Sequence, residues 1–143
     1  MTADKGIDAG LSPQQALIYA MVAVAAADRR IVESEFTRMR SMVRELPAFR
    51  GMDEAAFGRE AQACGRELAT PDGVRKVIRL VAGALAGGLR ETAYVLAAEV
   101  AASDLSLRDD ERSFLSLLAE GLQLDDLVCA ALQRSVQARH RAV

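Results

Sequence analysis

A helix–connection–helix segment occurs twice in this chain of 143 residues, and this repeat constrains the fold more than any other sequence feature. Each copy has the form A-A-[AS]-D-x-x-[IL]-x-x-x-E, with the second copy 76 residues after the first. An Asp ends an apolar stretch and a Glu follows seven residues later, which gives Asp28 and Glu35 in one copy and Asp104 and Glu111 in the other. We therefore predict two similar units, related by a pseudo-twofold axis that could bring the four acids to one side of the domain.

Apolar residues recur with helical spacing along the chain, and helix-start signals precede them. The segment Ser12-Pro13-Gln14-Gln15 combines an N-cap serine, a first-turn proline and the Gln of a capping box. Asp53 should cap a third helix, and Gly87-Gly88 should end a fourth. No alternating strand pattern competes, so we predict an all-α fold: a single-domain bundle of about seven helices.

The expected domain boundaries follow from the same signals. The bundle should span residues 11–138, between a disordered N-terminus of residues 1–10 and a frayed tail of residues 139–143. The first helix is apolar on nearly all faces, as expected of a central helix. The seventh helix should bury Leu127 or Val128 with Ala131, Leu132 and Val136.

Composition excludes several classes of protein. With 51% hydrophobic and 27% charged residues, the chain is neither a disordered polyelectrolyte nor a membrane bundle. A net charge of −2 argues against a nucleic-acid partner. Residues 1–10 lack the apolar core of a signal peptide, and the apolar run 16–27 is too short to cross a bilayer, so we expect a cytoplasmic protein. Cys64 and Cys129 are then expected to be free thiols, with a disulfide as the alternative.

Catalytic motifs are missing from the sequence. His140 is the only histidine and lies in the predicted tail, so a histidine base or a His-ligated zinc is not expected. The chain has no phosphate-binding glycine loop and no nucleophile elbow. We predict that the protein is not an enzyme.

The duplicated Asp–Glu motif resembles that of the TerB family of tellurite-resistance proteins, whose signature A-A-D-G-x-[IV]-x-x-x-E occurs twice in an all-helical domain. The resemblance covers residues from about Leu11 to Leu132. It implies a cytoplasmic bacterial protein linked to tellurite resistance and stress responses. It also implies an acidic surface proposed to bind divalent metal, and partner proteins in a membrane-associated complex; a homodimer is also conceivable.

The chain departs from that family pattern at two positions in each connection. The Gly after the Asp is Arg29 in the first copy and Leu105 in the second. The small polar residue four positions after the Asp is Val32 or Arg108. A non-Gly residue at positive φ is strained by roughly 1 kcal/mol, so the departures bear on the metal site more than on the fold.

The acids of the two connections support two interpretations. Asp28, Glu35, Asp104 and Glu111 could bind Ca²⁺ or another divalent cation, because carboxylate oxygens are hard ligands. Alternatively, they cap helices and interact favourably with helix dipoles. The second connection is the more acidic, and its additional candidate ligands are Asp109 and Asp110.

Glu99 is a weaker site candidate inside the mostly apolar fifth helix. A buried carboxylate needs a partner, for which Arg79 and Arg90 are candidates, or it could face the acidic cluster. The simpler interpretation places Glu99 on the exposed stripe of its helix.

Three functions remain open at the level of sequence. The first is a cation-binding partner module of the stress response. The second is a metal-independent interaction domain in which the acids only cap helices. The third is a carrier of a small apolar ligand in a groove between alanine-rich helices. Basic residues such as Arg38, Arg40, Arg44, Arg75, Lys76 and Arg79 could contact an acidic partner, although most such faces are simply solvated.

Overall fold

The computed structural model describes residues 10–27, 31–102 and 109–143. These residues form seven α-helices and one short 3₁₀ helix, Pro47–Phe49, with no strand among them. The all-α prediction is confirmed. The α-helices are α1 Pro13–Ala25, α2 Glu33–Glu45, α3 Glu54–Leu68, α4 Gly73–Ala84, α5 Gly88–Ala101, α6 Asp109–Gly121 and α7 Asp126–Arg139.

The predicted helix starts of α1 and α3 are confirmed. Ser12 Oγ accepts a hydrogen bond from the Gln15 N–H at 3.1 Å, and Gln15 Oε1 accepts one from the Ser12 N–H at 2.8 Å. Asp53 Oδ1 accepts from the Ala56 N–H at 2.8 Å. Each cap satisfies a backbone donor that has no partner within its helix.

Helix α1 lies at the centre of the bundle. Every residue from Ala16 to Ala25 is buried, and α1 packs against α3, α4, α5 and α6. Helix α5 is the principal neighbour of α1 and is also largely buried, from Ala93 onward except at Val95. Alanines on both helices keep the side-chain layer thin, which allows their backbones to approach closely. The core is therefore organised around two alanine-rich helices from opposite halves of the chain.

Helix bounds correspond between the two halves. Helix α6 begins and ends 76 residues after α2, and α5 ends 76 residues after α1. Paired positions are buried alike, as Met39 and Leu115 show. The pseudo-twofold arrangement of the units in space stays a prediction.

Helix α4 ends earlier than predicted. It stops at Ala84, because Leu85 adopts an extended backbone and turns its buried side chain into the core. Gly87, at φ 59°, serves instead as the N-cap of α5. Tertiary burial of Leu85 thus decides the helix end before the glycine pair is reached.

Residues 139–143 were predicted to be a frayed tail, and the last helix extends one residue into that segment. Helix α7 runs to Arg139, and His140 is its C-cap. The seventh-helix burial prediction was also incomplete, since Val136 is the buried residue among those described in α7 while Leu127 is 77% exposed. The N-terminal prediction for residues 1–10 falls almost wholly outside the described residues. Among the helices of the described residues, none combines the length and apolar character that crossing a membrane requires.

Candidate functional site

Glu35 lies in the first turn of α2 and is completely buried. Val32 is the N-cap, and its side chain cannot accept a hydrogen bond. Glu35 compensates in part, because its Oε1 accepts a hydrogen bond from the Val32 N–H at 3.1 Å. The carboxylate therefore caps the helix and also lies close to the connection that carries Asp28.

Glu111 occupies the same position in α6 and is also completely buried. Asp109 and Asp110 precede it in the first turn and are exposed. Asp109 forms an exposed ion pair with Arg112 at 3.4 Å. Negative charge at a helix N-terminus interacts favourably with the helix dipole, so this part of the chain is stabilised with or without a cation.

Of the four acids predicted to form a site, the structure describes Glu35 and Glu111. Asp28 and Asp104 lie outside the described residues, as do Arg29, Leu105 and Arg108. Among the residues that the structure describes, no three His, Cys, Asp or Glu side chains gather as metal ligands. The described residues thus supply one buried first-turn carboxylate to each half, which suits a hard cation but does not form a complete shell. The metal site remains a prediction.

Glu99 is not on the exposed stripe of α5. The residue is only 3% exposed, and its partners come from the end of α7. Glu99 Oε2 pairs with Arg139 Nη1 at 3.0 Å, and Glu99 Oε1 contacts His140 Nε2 at 2.7 Å. His140 was predicted to lie in a frayed tail and was not considered as a partner for Glu99. A buried acid without a local partner was the signal that could have directed attention to the basic C-terminal residues.

Neither arginine considered as a partner for Glu99 plays that role. The Arg90 guanidinium donates hydrogen bonds to three backbone carbonyls, at 2.8 to 2.9 Å. Two of these, from Ala82 and Leu85, lie at the end of α4, and the third, from Leu122, follows α6. Arg90 therefore caps two helix ends, because it donates to backbone carbonyls that lack a donor within their own helix. Arg79 is exposed on α4.

The basic helix faces are partly neutralised. Arg40 pairs with Glu33 at 3.4 Å, and Arg44 pairs with Glu54 at 3.0 Å. On α4, Arg75 lies 3.7 Å from Asp72. Exposed pairs of this kind contribute little stability, and they reduce the field that an acidic partner would meet.

A groove of about 650 Å³ lies between α5, α6 and α7. Tyr94 and Cys129 line it, together with the acids Glu120 and Asp126. Burial, followed by the nearby Asp126 and Asp125 carboxylates, raises the pKa of the Cys129 thiol. The thiol is therefore protonated at neutral pH, and the groove is more polar than an apolar-ligand carrier requires.

The two cysteines are free thiols in the structure, as predicted. Cys64 is completely buried in the core, and its Sγ donates to the Tyr19 carbonyl at 3.7 Å. Burial raises the pKa of this thiol to about 12. Cys64 is thus a small core residue rather than a reactive group.

The fold and these positions define a class of protein: an all-helical domain with a buried carboxylate in the first turn of two corresponding helices. The sequence model of one family, described as tellurite resistance protein TerB, matches residues 14–134. The chain belongs to the TerB family. Comparison with curated proteins and with solved structures gave no significant match.

Proposed function

We propose that this protein is a non-enzymatic TerB-family module that acts in tellurite resistance and related stress responses. It binds a divalent cation at the acidic connections that precede α2 and α6, and it presents its surface to partner proteins in the bacterial cytoplasm. Ca²⁺ is the first candidate ion, because carboxylate and backbone carbonyl oxygens are its usual ligands. Family membership supports the link to tellurite resistance.

The observation that carries the cation proposal is the complete burial of Glu35 and Glu111 at corresponding positions. An ionised carboxylate in a protein interior is costly unless nearby positive groups compensate. Two such carboxylates lie at corresponding positions, each in a helix that follows a connection containing an Asp. Asp28 with Glu35, and Asp104 with Glu111, would provide hard oxygen ligands, and loop carbonyls and water would complete each shell. Asp109 and Asp110 make the second connection the stronger candidate.

A second function is favoured by a different observation. The hydrogen bond from the Val32 N–H to Glu35 shows one of these acids capping its helix. If capping is the whole role of the acids, the protein is a metal-independent interaction domain. A direct test must therefore separate cation binding from structural capping.

Thermal unfolding with and without millimolar Ca²⁺, Mg²⁺, Mn²⁺ or Zn²⁺, at constant ionic strength, makes this separation. A cation that binds only the folded state at about 100 times its Kd adds roughly 2.7 kcal/mol, a rise in Tm on the order of 10 °C. Asp104→Asn combined with Glu111→Gln should remove most of this rise. No rise with any of the four ions overturns the cation proposal.

The matched control is Glu120→Gln combined with Asp125→Asn. Both of these acids are exposed, and the pair removes the same formal charge from the same part of the chain. The control should keep the full cation-dependent rise in Tm. If the control loses it as well, the effect is general screening. If the Asp104 and Glu111 variant instead unfolds without any ion, the acids are structural caps.

A further inference from the structure

The position of Glu99 in α5 does not need a carboxylate for helix packing, as the corresponding position in α1 shows. Glu99 lies two residues before the end of α5, and Ala23 lies two residues before the end of α1. Both positions are buried, at 3% and 2% exposure. An alanine therefore suffices at the equivalent place, whereas a buried acid needs charged or hydrogen-bonding partners. Such costly groups are frequent at functional sites.

Both partners of Glu99 come from the last turn of a loosely held helix. Arg139 ends α7, and its side chain is 63% exposed although its guanidinium contacts the buried acid at 3.0 Å. His140 is the C-cap and contacts the other carboxylate oxygen at 2.7 Å. Among described residues, α7 otherwise contributes Val136 as its buried side chain. The side chains that contact Glu99 therefore belong to the end of α7, which can detach while the core stays packed.

A slot of about 170 Å³ opens beside this contact, between α2, α5 and α7. Glu99 and Arg139 both line it. The remaining walls combine the apolar side chains Met42, Leu46, Val95 and Leu96 with the polar side chains Arg38, Ser41 and Glu45. A slot that combines apolar walls with the carboxylates of Glu99 and Glu45 matches an arginine side chain, whose methylenes pack on apolar walls while its guanidinium binds both oxygens of Glu99.

We propose that this slot binds an arginine side chain of a partner protein, and that Arg139 and His140 are its intramolecular competitors. The contact seen in the structure is then the self-occupied state of the site. A partner that inserts an arginine displaces the end of α7 and takes over both carboxylate oxygens. The inference rests on the partner-binding part of the proposed function and not on its cation-binding part.

The competition lowers the apparent affinity for any outside ligand. A group tethered close to its site acts at a high effective concentration. The site is available to an outside ligand only for the fraction of time in which the tethered side chains are displaced from it. Removal of the competing side chains should therefore increase the affinity without adding any contact. A purely structural role for Arg139 and His140 predicts lower stability and no gain in binding.

The probe is capped arginine, N-acetyl-arginine N-methylamide, titrated into the full chain and followed by calorimetry and by the amide resonances of Val95, Leu96 and Glu99. Arg139→Ala combined with His140→Ala should bind it at least about tenfold more tightly than the unmodified chain. Capped glutamine, which lacks the charge, should not bind. Addition of Glu99→Gln to the double variant should abolish binding.

The matched control is Arg134→Ala combined with Arg141→Ala, which removes two exposed cations at the same end of the chain. It should bind the probe as weakly as the unmodified chain. Equal affinity in the double variant and the unmodified chain overturns the inference, as does binding that survives Glu99→Gln. If the double variant loses its helical circular dichroism, Arg139→Ala alone, which keeps the His140 contact, is measured instead. The cation titration tests other residues, so a negative result in one experiment leaves the other proposal standing.

Discussion

At the scale of single residues, Glu35 and Glu111 are two buried acids at corresponding positions of the two halves. Each is completely buried in the first turn of a helix, where a carboxylate can satisfy backbone donors and lie next to an acidic connection. Arg90 has a comparable structural role at the other end of helices, because its positively charged guanidinium donates hydrogen bonds to carbonyls at two helix C-termini. The side chains of Glu35 and Arg90 thus provide hydrogen-bond partners that the backbone at a helix end lacks.

Gly121 gives a prediction at this scale. A Cβ at this position would overlap Cγ2 of Ile78, a buried and stiff β-branched side chain on α4. Gly121→Ala should therefore destabilise the fold by about 1 to 2 kcal/mol, the cost of overpacking less the better helix propensity of alanine. Denaturant unfolding monitored by circular dichroism measures the change.

Gly58 provides the control for this measurement. It lies within α3, and a Cβ there would have no atom within 4 Å. Gly58→Ala should stabilise the protein by about 0.5 to 1 kcal/mol, through helix propensity alone. If both substitutions change stability in the same direction, close contact between α4 and α6 is not what selects glycine at position 121.

At the scale of elements, α1 and α7 differ most clearly in how much of each helix is buried. Helix α1 buries ten consecutive residues and contacts four other helices. Helix α7 packs mainly on α5, through Val136, a hydrogen bond from Gln133 Nε2 to the Tyr94 hydroxyl at 2.8 Å, and the pairs with Glu99. Local stability follows buried apolar contact, so these helices should open with different free energies.

Hydrogen exchange tests this difference. We expect the amides of α7 to exchange through local opening and those of α1 only through global unfolding. Val136→Ala should speed exchange throughout α7, because it removes the buried apolar anchor of that helix, and should leave the relative protection of α1 unchanged. Equal protection of the two helices in the unmodified chain would show that α7 is part of the global folding unit.

At the scale of the whole molecule, the core joins the two halves of the chain through α1 and α5, so its ionisable groups report on global unfolding. Cys64 and Tyr19 are both buried in that core. Burial raises the pKa of Cys64 from 9.0 to about 12, and burial followed by the nearby Cys64 raises that of Tyr19 from 10.0 to about 12. Their ionisation is therefore coupled to loss of the native state.

This coupling predicts alkaline instability with a definite sign. Between about pH 9 and pH 12, the unfolded chain releases protons that the native Cys64 and Tyr19 retain, so the free energy of unfolding falls as pH rises. Each group contributes a slope of up to about 1.4 kcal/mol per pH unit. Denaturant unfolding at a series of pH values should show this fall, and Cys64→Ala should reduce its slope between pH 9 and 10. An unchanged slope would mean that the thiol ionises alike in both states.

The sequence predicted the elements well where the signal is local. The capping box at Ser12, the cap at Asp53 and the mostly apolar α1 depend on neighbouring residues, and all are confirmed. It failed where the outcome depends on distant partners. Glu99 is separated by about forty positions from the Arg139 and His140 side chains that contact it, and Leu85 ended α4 because its side chain had a place in the core.

Local patterning by itself therefore determined the all-helical class, the order of the helices, most of their starts and the central place of α1. Backbone hydrogen bonds within a helix and the spacing of apolar residues are fixed by neighbours in the chain. The tertiary structure alone decided the three-carbonyl role of Arg90, the end of α7 and the pairing of Glu99 with Arg139 and His140. A buried charge selects its partner by proximity in the folded core, and that proximity exists only after the helices have packed.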